Sequence, residues 1–369
     1  MARVAVIGAG SWGTTFAKVL ADGGADVTLW ARRPELAREI REAKRNSDYL
    51  PGINLPKRLT ATARLAQALD EAEQVYLSVP SQKLREILIE VLPYLPEDAP
   101  VISLMKGVEK GSGLRMSQVV EQVLEIDPTR IAVLSGPNLA LEIAREQPTA
   151  SVVASTGVET AAAVAVTAST QYFRTFVGTD VIGTELGGVL KNLIAVAIGI
   201  VDGVGYGENT KASIMTRGLA EMTDFAVAYG AEAQTLSGLA GLGDLIATCQ
   251  SPLSRNNTAG RLLGQGLALG EVVKQMNQTA EGLASVEPIL ALAREKGVDM
   301  PIVEQVRQVL AGTLDPKDIA PHLTTDTDVP QEERAADDTT QGGSALRRAL
   351  QRAFHQLRDG GRDPRSPRP

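Results

Sequence analysis

Arg3-Val4-Ala5-Val6-Ile7-Gly8-Ala9-Gly10-Ser11-Trp12-Gly13-Thr14-Thr15-Phe16 lies almost at the start of the chain. A short apolar run is followed at once by Gly-x-Gly-x-x-Gly, and the glycines open a helical pattern over residues 14–23. Strand, glycine turn and helix in this order form the setting in which the motif binds the pyrophosphate of a dinucleotide. Gly8 permits the tight turn, Gly10 lets backbone approach a phosphate, and Gly13 lets the helix pack close to the sheet. The amides of Ser11 and Trp12 then face the phosphates at the helix N-terminus. Outside that setting the same residues would be an ordinary glycine turn.

The pattern continues outward from this loop. Apolar runs at 3–8, 26–31, 74–79, 100–104, 130–134, 150–154 and 172–177 read as strands, with helical stretches at 14–23, 34–44 and 82–92. Strands alternating with helices predict an α/β unit with a largely parallel, doubly wound sheet of the Rossmann type. After Asp180 the strand signals stop, and 183–202, 208–229, 254–265, 269–276 and 286–296 read as helices. The expected organisation is a dinucleotide-binding domain over 1–180 and an all-α substrate domain over 181–323. A low-complexity tail over 324–369 is expected to be disordered, with one basic amphipathic helix in it. Residues 324–343 carry a net charge of about −5 and residues 344–369 about +5, with Leu346, Leu350, Phe354 and Leu357 at helical spacing.

Composition narrows the chemistry. The chain has 44 acidic residues against 37 Lys and Arg, a net charge of −7, which argues against a general nucleic-acid or membrane-surface binder. Its one cysteine, Cys249, excludes an internal disulfide and a multi-cysteine zinc site. Of two histidines, His322 and His355, neither sits in a motif, so lysine, arginine and carboxylates must carry any acid–base work, and no metal is expected. The longest apolar run, residues 193–201, falls short of the ~20 residues of a membrane span. No targeting segment is visible, and the cytoplasm is the expected compartment.

Several stretches supply candidate side chains. The second strand ends in Ala31-Arg32-Arg33-Pro34, where an NAD-specific fold carries an acid for the ribose hydroxyls. Two arginines suit a 2′-phosphate instead, or are a solvated pair on a loop. Asp26 stands at the strand's start, too early for the ribose. Lys106 and Gly136 follow the ends of two strands and so face the crevice where parallel sheets bind ligands. Lys191 lies within a helix that is apolar almost all round, so it is expected to be buried, with a lowered pKa that suits a general acid. Asp244, in Gly241-Leu242-Gly243-Asp244, either orients Lys191 or caps a helix. Ser254-Arg255-Asn256 opens a helix and forms a second anion site.

Taken together, Gly8–Gly13 with Trp12, Lys106-Gly107, Gly136-Pro137, Lys191-Asn192, the 241–244 turn and Ser254-Arg255-Asn256 resemble the bacterial NAD(P)H-dependent glycerol-3-phosphate dehydrogenases. The resemblance runs in order from residue 1 to about 320. It implies interconversion of dihydroxyacetone phosphate and sn-glycerol 3-phosphate, at the entry to glycerophospholipid synthesis, with NADPH or NADH as cofactor. It makes Lys191 the proton donor or acceptor. It also implies that Lys106, Gly136, Asn138, Lys191, Asp244, Ser254, Arg255 and Asn256 contact substrate. Ser11, Trp12, Arg32, Arg33, Tyr49, Lys106, Ala140, Arg255 and Glu281 match cofactor-contacting positions. Two positions depart from the family: Asn138 stands where Ser or Thr is usual, and Leu139 where an aromatic or His is usual. A homodimer is compatible with this reading, and the tail beyond about 323 lies outside the family pattern. The competing readings are a reductase of a β-hydroxyacid or ketoacid, which would not need the 254–256 anion site, and a non-catalytic NADPH-binding regulator, which would not need a buried lysine beside Asp244.

Overall fold

The computed structural model describes residues 2–276 and 280–319. Both histidines and the expected tail lie outside the described residues.

Eight strands form one sheet: β1 (Arg3–Ile7), β2 (Asp26–Trp30), β3 (Leu59–Thr62), β4 (Gln74–Leu77), β5 (Val101–Ser103), β6 (Ile131–Ser135), β7 (Thr149–Ala154) and β8 (Phe173–Gly178). Their order is β3-β2-β1-β4-β5-β6-β7-β8, and every neighbouring pair is parallel except β6 with β7. Helices α1 (Ser11–Asp22), α2 (Pro34–Ala43), α3 (Leu65–Leu69), α4 (Leu84–Val91), α5 (Met116–Leu124), α6 (Ala140–Ala144) and α7 (Val158–Ala168) lie between the strands. One apolar cluster joins Val6, Leu29 and Ile102 to Phe16 and Val164; another joins Ile7, Val75 and Val101 to Leu84 and Val119. Each face of the sheet thus has its own core. With both faces buried, the central strands read as continuous apolar runs.

The expected break after Asp180 is realised as a helix start. The Asp180 carboxylate accepts from the Gly183 amide at 2.8 Å and caps α8 (Val181–Val204). Seven further helices follow: α9 (Glu208–Ala228), α10 (Ala233–Leu236), α11 (Asp244–Gln250), α12 (Arg255–Gly264), α13 (Leu269–Gln275), α14 (Glu281–Lys296) and α15 (Pro301–Leu310). They wrap around α8, which buries every residue from Gly183 to Val201. By length and composition α8 could cross a membrane, although no single apolar run in it is long. In the fold 83% of its most apolar window is buried, so it is a core helix. Glu185 on α8 is buried among partners from the start of α5: the Ser117 amide at 2.9 Å, the Ser117 hydroxyl at 2.5 Å and the Arg115 guanidinium. These tie the helical part to the sheet.

β3 was not among the expected strands. Its Leu-Thr-Ala-Thr has one large apolar residue, and pairing with β2 makes it a strand. Helices α3, α5, α6, α7, α10, α11 and α15 were likewise not among the expected ranges. Asp244 turns out to be the first residue of α11, behind a π-type turn at Leu239–Gly243, and the N-cap is Gly243. The capping alternative for Asp244 is therefore wrong.

Candidate active site

The glycine loop takes the shape its sequence requires. Gly8 has φ +116°, and a Cβ there would stand 2.2 Å from the Ser78 carbonyl oxygen. A Cβ on Gly13 would stand 1.9 Å from the Gly8 carbonyl oxygen, so α1 packs directly on the turn. Gly10 differs: nothing lies within 4 Å of its Cβ position, and it borders a cavity of about 760 Å³. Helix α1 starts from Gly10 without a side-chain cap. Its first amides are thus set to receive an anion from the cavity. Backbone access at Gly10 and an uncapped helix start fit a dinucleotide pyrophosphate.

Asn46, 1% exposed, holds this loop in place. Its Nδ2 donates to the Ala9 carbonyl at 3.0 Å and to Thr14 Oγ1 at 2.8 Å, and its Oδ1 accepts from the Tyr49 amide at 3.2 Å. The Ser11 hydroxyl donates to the Tyr49 carbonyl at 2.8 Å. Arg32 and Arg33, exposed beyond the end of β2, border the same cavity with Trp12 and Tyr49. Asp26 is at the other end of β2, paired with Arg58 at 2.9 Å.

The opposite end of the cavity is lined by Lys106, Asn138, Ala140, Lys191, Ser254, Arg255, Asn256 and Glu281. Lys106 Nζ donates to the Gly136 carbonyl at 3.1 Å and lies 2.5 Å from Asp244 Oδ2. Lys191 Nζ lies 3.2 Å from Asp244 Oδ1 and donates to Thr248 Oγ1 at 2.6 Å. One carboxylate, 2% exposed, thus holds two ammonium groups, where sequence reasoning expected it to serve Lys191 alone. Burial is the main influence on Lys191 and pulls its pKa down to about 8; Asp244 pulls the other way, and Lys106 adds to the lowering. The Gly187-Gly188 pair gives the room: a Cβ on Gly188 would stand 3.2 Å from Lys106 Cγ, and one on Gly187 2.6 Å from the Ala240 carbonyl oxygen. Cys249 lies behind the lysine, and its burial pushes the thiol up to about 12, against the nearby charge of Lys191, and leaves it protonated.

Asn138 is tethered through Oδ1, which accepts from Ser151 Oγ at 2.5 Å, while its buried Nδ2 has no partner among the described residues. A buried donor left unpaired at a cavity wall is a position for a ligand oxygen. Ser254 caps α12 by accepting from the Asn257 amide at 3.2 Å. Asn256 is more committed than its sequence suggested: Nδ2 donates to Asn192 Oδ1 at 2.8 Å and Oδ1 accepts from the Gly282 amide at 3.0 Å. Its backbone amide, in the first turn of α12, is the group best placed for an anion. Burial raises the pKa of Glu281, against the nearby charge of Arg255.

The fold therefore brings almost all the expected site residues to one cavity. Gly13, Gly136 and Asp244 stand behind its wall. Sequence reasoning missed Thr248 and Asn46. Thr248 sits one turn after Asp244 on α11, so recognition of that helix would have placed both on one face; a lone asparagine in a loop gives no such signal. Among the described residues no cluster of His, Cys, Asp or Glu could hold a metal.

A parallel sheet with a glycine loop at one end of the cavity and a lysine pair over a buried carboxylate at the other defines an NAD(P)-dependent oxidoreductase. Residues 3–161 match the family model of the NAD-dependent glycerol-3-phosphate dehydrogenase N-terminus, and residues 180–321 match that of its C-terminus. The glycerol-3-phosphate dehydrogenase [NAD(P)+] of Leifsonia xyli is 71% identical over 99% of this chain and 100% of its own. That of Frankia casuarinae is 54% identical over 88% of this chain and 96% of its own. The crystal structure of glycerol-3-phosphate dehydrogenase from Coxiella burnetii superposes with a TM-score of 0.83 at 36% identity, covering 88% of this chain and 99% of that one. The chain belongs to the NAD-dependent glycerol-3-phosphate dehydrogenase family, and NADH or NADPH is its cofactor.

Proposed function

We infer that the protein reduces dihydroxyacetone phosphate to sn-glycerol 3-phosphate, reversibly, and so supplies glycerophospholipid synthesis. The observation that carries this reading is the buried Lys191, at the cavity wall and 3.2 Å from Asp244. When bound, the nicotinamide supplies the hydride that goes to C2 of the substrate. Lys191 gives a proton to the oxygen left on C2 and takes it back in the oxidative direction. Asp244 keeps Lys191 charged and aimed, and Lys106 adds positive potential where negative charge develops. Arg255, with the Asn256 amide at the start of α12, which Ser254 caps, holds the substrate phosphate, and this sets the carbonyl against the nicotinamide. Asn138 Nδ2 and the Gly136 turn complete the substrate's surroundings. Gly8, Gly10, Ser11 and Trp12 hold the pyrophosphate, with Gly13 seating α1 on the turn behind them, and Arg32 and Arg33 hold the ribose end. Tyr49, Ala140 and Glu281 line its course.

In this reading residues 1–180 form the dinucleotide domain and 181–323 the substrate domain. The enzyme works in the cytoplasm, as a homodimer, without nucleic acid and without stable insertion in a membrane. Oxidation of NADPH with dihydroxyacetone phosphate tests the substrate. We expect turnover with it and little with a 2-ketoacid such as ketopantoate; preference for the ketoacid would contradict the reading.

A further inference from the structure

Asp48 stands where no part of the proposed mechanism uses it. Its Oδ2 lies 2.5 Å from Arg33 Nη2, and both side chains are about half exposed, at 53% and 52%. Arg33 also sits over the Tyr49 ring, with its guanidinium carbon 5.7 Å from the ring centroid. Arg32, its neighbour on the cavity rim, makes no ion pair or side-chain hydrogen bond among the described residues. The two arginines offered to the ribose end are therefore unequal: one is available and the other is held by a carboxylate.

Asp48 is held in its place relative to the glycine loop. On either side of it, Asn46 reaches Ala9 and Thr14, and Tyr49 bonds to Asn46 and Ser11. Ser47 adds two bonds to Glu39, at 3.1 and 2.5 Å. A turn tied down at 46, 47 and 49 fixes the backbone of residue 48, which stands behind the cavity lining and reaches it through Arg33.

We propose that Asp48 is a determinant of cofactor preference, which holds the protein back from selecting NADPH and keeps NADH in use. This rests on the reading of Arg32 and Arg33 given above. A ribose 2′-phosphate must take Arg33 away from Asp48, or share it, and must accept a negative carboxylate beside its own negative oxygens. Both effects weaken the phosphorylated cofactor. A ribose without the phosphate brings no charge, and Arg33 keeps its partner. The carboxylate therefore acts against NADPH and leaves NADH untouched.

Asp48→Asn removes the charge and keeps the size. Dissociation constants for NADPH, NADH and adenosine 2′,5′-bisphosphate, measured by titration calorimetry at low salt, read the effect without turnover. We expect Asp48→Asn to tighten NADPH and adenosine 2′,5′-bisphosphate roughly three- to tenfold and to leave NADH within about twofold. The gain should shrink in an Arg33→Ala background and as salt is raised. Weaker NADPH binding in Asp48→Asn would show that the carboxylate instead orients Arg33 for the phosphate, and equal changes for both cofactors would show that it does not discriminate; either overturns the proposal. Arg32→Ala/Arg33→Ala separates the two levels. If that variant leaves the NADPH-to-NADH ratio unchanged, the reading of the arginines fails and this inference with it. If the ratio falls while Asp48→Asn is without selective effect, only the role of Asp48 is lost.

Discussion

Burial strips Lys191 of the water that would hold its proton, and Asp244 restores only part of that support. The result is an amine titrating near 8 instead of 10.5. As proton donor in the reductive direction Lys191 must be charged, so kcat for dihydroxyacetone phosphate reduction should fall as pH rises through about 8. In the oxidative direction it must be neutral, and kcat for glycerol 3-phosphate oxidation should rise through the same pH. Profiles that move together in both directions would assign the titration to another group. Lys191 was legible in the sequence because it is the one basic residue in a long, largely apolar helix, and only burial with a partner makes that tolerable. Asp244 was legible as that partner. Its second bond, to Lys106, was not, because the two are 138 positions apart and no local pattern relates them. Asp48 and Asn46 left no signal either, since polar residues in a loop are unremarkable until a neighbour is seen.

At the level of elements, the substrate end of the cavity depends on how α12 crosses α8. Gly199 and Gly203 of α8 face Gly260 and Gly264 of α12. A Cβ on Gly260 would stand 2.1 Å from the Val196 carbonyl oxygen, and one on Gly264 2.2 Å from that of Ile200. These are backbone atoms that no rotamer change can move aside. The crossing sets the start of α12, with Ser254, Arg255 and Asn256, against Lys191 and Asn192 on α8, and the Asn192–Asn256 bond lies beside it. Gly260→Ala should force the helices apart and cost roughly 1–3 kcal/mol of stability or more, read as a lower denaturant midpoint. It should also raise KM for dihydroxyacetone phosphate more than for NADPH. An unchanged midpoint would mean that the crossing has slack. The helices themselves were visible as periodicity over 183–202 and 254–265, whereas their closeness was not, because a glycine in a helical pattern does not say which backbone approaches it. The short strand β3 was missed for a related reason: its pairing with β2, more than its composition, makes it a strand.

Over the whole molecule, the glycine loop and the ends of the parallel strands open on one side, where α8, α11 and α12 close the cavity. Its lining runs from Gly8 to Glu281, and the family match ends at residue 321. A chain ending at Leu323 should therefore keep kcat/KM within about twofold of the full protein. Loss of most of that activity in a folded, truncated protein would place later residues in the catalytic machinery. The match to the Leifsonia protein covers 99% of this chain, so the similarity continues beyond the family model. The division into sheet and helices was readable in the sequence because strand patterns end where Asp180 caps a helix. Reduction depends on Lys191 as the proton donor, and Lys191→Met tests this most directly. The methionine keeps the length of the side chain, and Asp244 retains Lys106 at 2.5 Å as its partner. The decisive measurement is kcat for dihydroxyacetone phosphate reduction at neutral pH, beside the dissociation constant for NADPH. We predict a kcat lowered roughly 10²–10⁴-fold with NADPH binding within a few-fold of wild type. A variant that retains more than about a tenth of wild-type kcat, well below the loss of a general acid, would contradict the account.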